Sequence, residues 1–304
     1  MEASRALEGL ARALGGLARR DVPIGPLTTY RVGGRAALFV EPAGEGDLDV
    51  LVRATRGLEV PVLMLGKGSN LLVADAGWPG LCVHAGDALG AVCFEGTRVR
   101  AGAGAAYPVL ARRCASGGLV GMEWAVGIPG SVGGAVRMNA GGHGAETSQW
   151  LVSARIVDLA TGADRQVSPA ELGLSYRRSS LRSTELVTEA VFALEEGDSS
   201  SSLERIAEIV RWRRANQPGG QNAGSVFTNP PDDSAGRLID AAGLKGMRMG
   251  TAAVSDKHAN FFQADPGGSA DDVRRLVDAV REEVRRRLGV ELAVELQMAG
   301  FSHG

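Results

Sequence analysis

Residues 127–142 read GIPGSVGGAVRMNAGG, and this glycine-rich stretch decides the predicted fold. It carries so little side-chain bulk that we expect its backbone to pass close to something flat or charged. A second cluster at residues 66–70, GKGSN, follows the apolar run 63–65 and matches neither the P-loop nor GxGxxG. Glycines there would let backbone N–H groups cradle a diphosphate. The two clusters predict a dinucleotide held by non-Rossmann means, with tight structural turns as the alternative.

The region from residue 36 to residue 194 is predicted to be centred on β-sheet. Short apolar runs rich in β-branched residues predict strands at 37–40, 60–65, 80–84, 91–94, 97–101, 154–159 and 187–194. Glu95-Gly96 lies between two of these runs and predicts a hairpin turn. Helices are predicted at 47–56 and 107–115. The combination predicts an α+β domain.

A polar segment divides the chain. Residues 195–202, EEGDSSSS, lack periodicity and predict a linker or exposed turn. Beyond it, helices are predicted at 203–214 and 270–288, and a strand at 290–298. We therefore expect three parts: an N-terminal helix and lead-in at 1–25, a first domain at 26–197, and a smaller α+β domain at 203–304.

Composition limits the function classes. The chain has 304 residues, 44% of them hydrophobic, and a formal net charge of -2. Such a chain can bury sizeable cores, and it has no overall field for nucleic acid or an anionic membrane. We find no stretch of about 18 apolar residues that would span a membrane. The 3 cysteines lack CxxC spacing, which argues against a zinc site and fits a reducing, cytoplasmic compartment.

Further motifs occur in the order of one family. In these motifs the chain resembles the UDP-N-acetylenolpyruvoylglucosamine reductases, over nearly everything from residue 27 to residue 300. The motifs are TTYRVGG at 28–34, LGKGSN at 65–70, GIPGSVGGA at 127–135, NAG at 139–141, SYR at 175–177, GSVF at 224–227, NP at 229–230, GLKG at 243–246, VSDKH at 254–258 and GVELAVE at 289–295.

The resemblance implies an FAD-binding domain of the vanillyl-alcohol-oxidase type, followed by a smaller α+β domain that binds the substrate. It implies non-covalent FAD, NADPH as the reductant and a UDP-sugar carrying an enolpyruvyl ether as the substrate. The family's FAD contacts carry over to Gly66, Lys67, Gly68, Ser69, Asn70, Leu71, Gly133, Ala135, Asn139, Ala140 and Gly141.

Motif matching also carries over three catalytic residues. Arg177 would clamp the substrate carboxylate, Ser225 would deliver a proton and Glu295 would assist at the polarised oxygen. Without the resemblance, Arg177 reads as an exposed loop arginine and Ser225 as part of an ordinary turn. Alternation along 291–297 puts Glu295 opposite the apolar face, where it could be solvated or could face a cleft.

The sequence departs from the family pattern at two positions, and it leaves two other functions open. Thr228 and Gln297 stand where many family members have a lysine and an arginine. The short span between Arg177 and Ser225 leaves no room for the tyrosine-bearing insertion of one family branch. A flavin oxidase of the same fold is one alternative function, for which His143 would be the candidate for covalent attachment. A non-catalytic protein that binds UDP-sugar or flavin is the other.

Overall fold

The structure, a computed structural model of the chain, describes residues 2–301. The outermost residues of the predicted ranges 1–25 and 203–304, namely residue 1 and residues 302–304, lie outside the described residues. The helices are α1 Glu2–Leu14, α2 Glu45–Thr55, α3 Tyr107–Ser116, α4 Val132–Arg137, α5 Ser199–Asn216, α6 Ala235–Ala241 and α7 Ala270–Leu288.

The strands are short and lie in several sheets. They are β1 Arg19–Pro23, β2 Arg35–Val40, β3 Val62–Leu65, β4 Leu71–Val73, β5 Trp78–His84, β6 Val92–Glu95, β7 Arg98–Gly102, β8 Leu119–Val120, β9 Gly141–Gly142, β10 Ala145–Glu146, β11 Leu151–Asp158, β12 Asp164–Val167, β13 Glu185–Ala193, β14 Glu195–Glu196, β15 Arg248–Met249, β16 Ala252–Val254, β17 Phe262–Ala264 and β18 Gln297–Ala299.

The described residues form two compact units, each made of three chain segments. The first unit contains the described residues up to Asp21 together with Ala37–Lys67 and Pro79–Trp212. The second contains Val22–Ala36, Gly68–Trp78 and the described residues from Arg213 onward. The chain therefore enters each unit more than once, and the linear ranges 26–197 and 203–304 stay a prediction.

The first unit is built around an antiparallel sheet with the strand order β12-β11-β13-β7-β6. Glu95 pairs with Arg98 across β6 and β7, which confirms the predicted hairpin turn. Phe192 of β13 and Tyr107 of α3 are fully buried in the same core. A further sheet has the order β1-β2-β5-β3, with β3 and β5 parallel.

Helix α7 and the sheet β15-β16-β17 form much of the second unit. The predicted bounds of α7 are confirmed: the hydroxyl of Ser269 accepts from the N–H of Asp272, 3.2 Å away, and Gly289 ends the helix at φ +70°. Six apolar residues form the predicted stripe of α7, and five of them are fully buried, each contributing about 1.5–3 kcal/mol. The buried residues are Val273, Leu276, Val277, Val280 and Val284, whereas Leu288 in the last turn is exposed.

Two sequence predictions about elements are wrong. The predicted linker 195–202 contains strand β14, paired with β8, and the first turn of α5. Asp198 caps that helix from the position before Ser199, because its carboxylate accepts from the N–H of Ser201 at 2.7 Å. The predicted strand 290–298 shortens to β18, since the N–H groups of Glu295 and Leu296 both donate to Val226 and interrupt a regular ladder. In the described part of the chain, no helix is both long and apolar enough to cross a membrane.

Candidate active site

The loop at residues 66–70 offers unpaired main-chain donors. It follows strand β3, and within the described residues the N–H groups of Gly66, Lys67, Gly68, Ser69 and Asn70 donate to no protein acceptor. Backbone N–H groups in such a run can bind an anion without positive side chains. The loop therefore fits the diphosphate of FAD.

Glycine is required at two positions of this loop by close packing. A Cβ on Gly66 would lie 2.3 Å from the hydroxyl oxygen of Ser131. A Cβ on Gly68 would lie 2.6 Å from the Cα of Thr28, and Gly68 has a left-handed φ of +61°. Any larger residue would displace the loop and with it the row of N–H donors.

Lys67 is the only positively charged residue among the predicted FAD contacts, and its charge is partly neutralised within the protein. Its ammonium group makes an ion pair with Asp87. The hydrogen bond from Lys67, and then its charge, lower the pKa of Asp87. Because Asp87 pairs with Lys67, the loop offers an anion mainly the partial positive charges of its main-chain N–H groups.

In the segment 127–142, unlike the loop at 66–70, main-chain N–H groups donate to carbonyl groups of the protein itself. The N–H of Val132 donates to Ala105 and that of Gly133 to Ala103, each at 2.9 Å. Ala140 donates to Ala135 at 2.8 Å, and Ala135 is buried. These predicted FAD contacts thus lie in a segment whose backbone is held mainly by the protein itself.

Asn139 connects this segment to the turn that carries Arg177. It is fully buried and has a left-handed φ of +39°. Its Nδ2 donates to the carbonyl of Ser175 at 3.0 Å, while its Oδ1 accepts from the N–H of Ser148 at 2.9 Å. Both ends of the side-chain amide therefore bind protein main chain.

Arg177 is held in a defined position. Ser175 and Arg178 close a tight turn with two main-chain hydrogen bonds of 3.0 Å, and Arg177 sits in it at φ +57°. Its Nη2 donates to the carbonyl of Gly141 at 2.8 Å, and its guanidinium lies 4.8 Å from the ring centroid of Tyr176. In the first unit, the structure thus brings together Arg177, Asn139 and Gly141 from the predicted site.

In the second unit, hydrogen bonds hold the main chain of Glu295 next to Asn70 and next to Val226, the residue that follows Ser225. The N–H of Glu295 donates at 2.8 Å to the carbonyl of Val226, the residue after Ser225. The Nδ2 of Asn70 donates at 3.3 Å to the carbonyl of Glu295. Ser225 itself is paired with Phe261.

Sequence reasoning missed Asn260, whose buried side chain fixes the Ser225 segment. Its Oδ1 accepts from the N–H of Phe227 at 3.0 Å, and its Nδ2 donates to the carbonyl of Phe227 at 2.8 Å. A signal for it exists in the sequence, because Asn260 is a polar residue within the apolar run ANFF. Next to it, burial lowers the pKa of His258.

Comparison with known proteins decides the family. Residues 36–167 match the FAD binding domain family, and residues 216–299 match the C-terminal domain family of UDP-N-acetylenolpyruvoylglucosamine reductase. The chain is 44% identical over 295 residues to the UDP-N-acetylenolpyruvoylglucosamine reductase of Rubrobacter xylanophilus, covering 96% of this chain and 99% of that one. The chain belongs to the UDP-N-acetylenolpyruvoylglucosamine reductase family.

Other members of the reductase family give the same result. The reductase of Synechococcus sp. WH7803 is 44% identical, over 94% of each chain. The crystal structure of the reductase from Thermus caldophilus has a TM-score of 0.80 and 37% identity, covering 93% of this chain and 99% of that chain. The predicted α+β class with an FAD-binding domain is confirmed, and the chain is an FAD-containing oxidoreductase of the reductase family.

Proposed function

We infer that this chain reduces the enolpyruvyl ether of UDP-N-acetylglucosamine to UDP-N-acetylmuramate, a peptidoglycan precursor, with NADPH as the reductant and non-covalent FAD. Likeness to the reductases along almost the whole chain supports the reaction. The observation in the structure that carries FAD binding is the row of unpaired N–H donors at residues 66–70. FAD, when bound and reduced by NADPH, would supply the hydride that adds to the enolpyruvyl double bond.

Arg177 is proposed to bind the substrate carboxylate and to stabilise the enolate. Negative charge develops beside that carboxylate as the double bond is reduced, and a guanidinium stays positively charged at any working pH. The hydrogen bond to Gly141 and the contact with Tyr176 limit the positions open to the side chain. Such preorganisation lowers the cost of orienting the charge during the reaction.

Ser225 is proposed to donate the proton to the α carbon of the enolate. A serine hydroxyl is a weak acid, so it can act only beside a strongly basic neighbour such as an enolate carbon. Glu295 is proposed to assist at the polarised oxygen. Val226 supports these roles. It follows Ser225 in the chain and its carbonyl accepts a hydrogen bond from the N–H of Glu295, which fixes the spacing of the two segments.

The remaining assignments belong to the same proposal. The FAD contacts are proposed to come from residues 66–71 and from Gly133, Ala135, Asn139, Ala140 and Gly141. Residues 26–197 are proposed as the FAD-binding domain and 203–304 as the substrate-binding domain. A cytoplasmic location is proposed, and the free thiols Cys82, Cys93 and Cys114 are consistent with it.

Product analysis tests this function. The purified chain is incubated with NADPH and the enolpyruvyl UDP-sugar, and the sugar product is measured by mass spectrometry. The expected product is heavier by one hydride and one proton, with one NADP formed for each. Acid precipitation should release the FAD into the supernatant. An unchanged sugar with FAD bound would overturn the reaction, and flavin left on the precipitated protein would favour the oxidase.

A further inference from the structure

The end of helix α4 binds the connection that carries Arg177. That connection joins β12 to β13 and comprises residues 168–184. A long connection keeps one conformation only where other parts of the protein bind it. Helix α4 is a firm support for this one, because Ala135 and Val136 near its end are buried in the core of the first unit.

Arg137, the last residue of α4, binds the second half of the connection. Its Nη1 donates to the carbonyl of Leu181 at 3.4 Å, and its Nη2 donates to that of Arg182 at 3.2 Å. The same Nη2 also donates to the carbonyl of Glu185, the first residue of β13. Burial lowers the pKa of Arg137, but a guanidinium stays charged in a protein, so these hydrogen bonds are charge-assisted. One side chain thus holds three carbonyl groups of the chain that follows Arg177.

Ser179 binds the same end of the helix from the side of the connection. Its hydroxyl donates to the carbonyl of Arg137 at 2.6 Å. Ser179 follows Arg177 by two positions, and Ser175, which is bound by Asn139, precedes it by two. The turn that carries Arg177 is therefore held on both of its sides by the end of α4 and the residues just after it.

Ser180 forms a contrasting contact in the same connection. Its hydroxyl donates to the carbonyl of Leu172 at 2.9 Å and to that of Glu171 at 3.5 Å. Both of these partners lie within the connection itself. Loss of the Ser180 hydroxyl would thus remove a hydrogen bond without releasing the connection from α4, which makes Ser180 a matched control for Ser179.

We propose that Arg137 and Ser179 are positioning residues for Arg177, which hold the connection on α4 so that the Arg177 guanidinium meets the substrate carboxylate. The proposal rests on the proposed function, in which Arg177 binds that carboxylate. A guanidinium binds a carboxylate best through two parallel hydrogen bonds, which only a narrow range of orientations allows. A small displacement of the turn should therefore slow the step in which Arg177 takes part.

Stopped-flow kinetics on the FAD-loaded protein test the proposal. Reduction of the flavin by NADPH and its reoxidation by the enolpyruvyl UDP-sugar are followed separately. We expect Ser179→Ala to slow reoxidation about fivefold, as for one lost hydrogen bond, and to leave flavin reduction unchanged. Ser180→Ala should leave both steps within about twofold of the wild type. Thermal melts establish that each variant is folded.

Substitutions of Arg137 test the other half of the contact. Arg137→Met should slow reoxidation about tenfold or more, because three hydrogen bonds to the connection are lost. Arg137→Lys should recover part of that rate, because an ammonium group still donates to carbonyl groups but lacks the planar fork.

A double-mutant cycle with Arg177→Lys separates positioning from a general structural effect. If Ser179 acts through Arg177, Ser179→Ala should slow reoxidation by less than about twofold in the Arg177→Lys background. Equal slowing in both backgrounds, or an unchanged rate for Ser179→Ala beside an active wild type, would overturn the positioning role alone. A wild type whose reduced flavin the sugar does not reoxidise would overturn the proposed function, and the positioning role with it.

Discussion

The side-chain amide of Asn139 donates to the carbonyl oxygen of Ser175 at 3.0 Å, two residues before Arg177. One buried side chain thus joins a glycine-rich segment to the turn that carries the proposed carboxylate ligand. The contact involves no charge, and it depends on a side chain that is completely excluded from water. The position of Arg177 is therefore coupled to the folding of the segment 127–142.

Asn139→Asp should lower the free energy of unfolding and loosen the turn that positions Arg177. The aspartate cannot donate to Ser175, and burial of the new charge is unfavourable, so we expect a loss of about 2–4 kcal/mol in the free energy of unfolding. Denaturant-induced unfolding of both proteins measures this loss. The matched control is Asn229→Asp, because Asn229 is exposed and its Oδ1 only accepts from the N–H of Ala235. Equal losses in both variants would contradict the importance of the Asn139 contact.

Arg177→Lys should lower kcat for substrate reduction by tenfold or more. Lysine keeps the charge but lacks the planar fork that binds Gly141 and a carboxylate together. The same substitution at the neighbouring exposed Arg178 is the control, and it should leave kcat within about twofold, below roughly 0.5 kcal/mol. Steady-state kinetics measure both variants. A larger loss at Arg178 would assign the role to that residue instead.

Ser225→Ala should separate the two half-reactions. The hydroxyl is needed for protonation of the enolate, so reoxidation of the flavin by the enolpyruvyl UDP-sugar should slow by about 10²-fold or more. Reduction of the flavin by NADPH should stay near the wild-type rate and serves as the internal control. Stopped-flow absorbance follows both steps. Equal slowing of the two would remove Ser225 from the protonation role.

Asn260→Ala should loosen the segment that contains Ser225. It leaves the buried N–H and carbonyl of Phe227 without partners, at about 1–3 kcal/mol for each. We expect a lower melting temperature and a lower kcat for substrate reduction with little change in flavin reduction by NADPH. Asn260→Asp keeps an acceptor for the Phe227 N–H. With its carboxyl protonated, this variant should be more stable than Asn260→Ala. A stability unchanged in Asn260→Ala would refute this account.

Glu185 should make the first unit sensitive to acid. Burial raises the pKa of this carboxyl, but hydrogen bonds from Arg182 and Arg165 outweigh burial, and the net pKa lies below 4.5. A pKa depressed by folding stabilises the protein above the unfolded value, and this stabilisation is lost as the pH falls through the folded value. Glu185→Gln should therefore be less stable at neutral pH and show a weaker decrease in stability below pH 4.5. Parallel pH profiles for the two proteins would contradict this role.

The sequence predicted those features that depend on local pattern. The bounds of α7 followed from an apolar stripe, the Ser269 cap and Gly289, all of which lie within one stretch of chain. The hairpin at Glu95-Gly96 is equally local. The motif positions of Arg177, Ser225 and Glu295 came from the family resemblance, which also indicated FAD, whereas the α+β class followed from the pattern of predicted strands and helices.

Features that depend on distant contacts could not be predicted. Asn260 satisfies the main chain of Phe227, 33 positions earlier, and no periodicity records that pairing. The serine run at 199–202 has low helix propensity, yet the Asp198 cap and burial of Ile206 hold it in α5. The predicted strand at 290–298 starts earlier than the observed β18, because the N–H groups of Glu295 and Leu296 share the carbonyl of Val226.

The most direct test is the visible spectrum of the purified protein during two anaerobic additions. NADPH should bleach the yellow absorption of the oxidised flavin, and the enolpyruvyl UDP-sugar added next should restore it. This result would establish the cofactor, the electron donor and the acceptor in one experiment. A colourless protein that does not take up added FAD, or a bleached flavin that the sugar fails to reoxidise, would contradict the account.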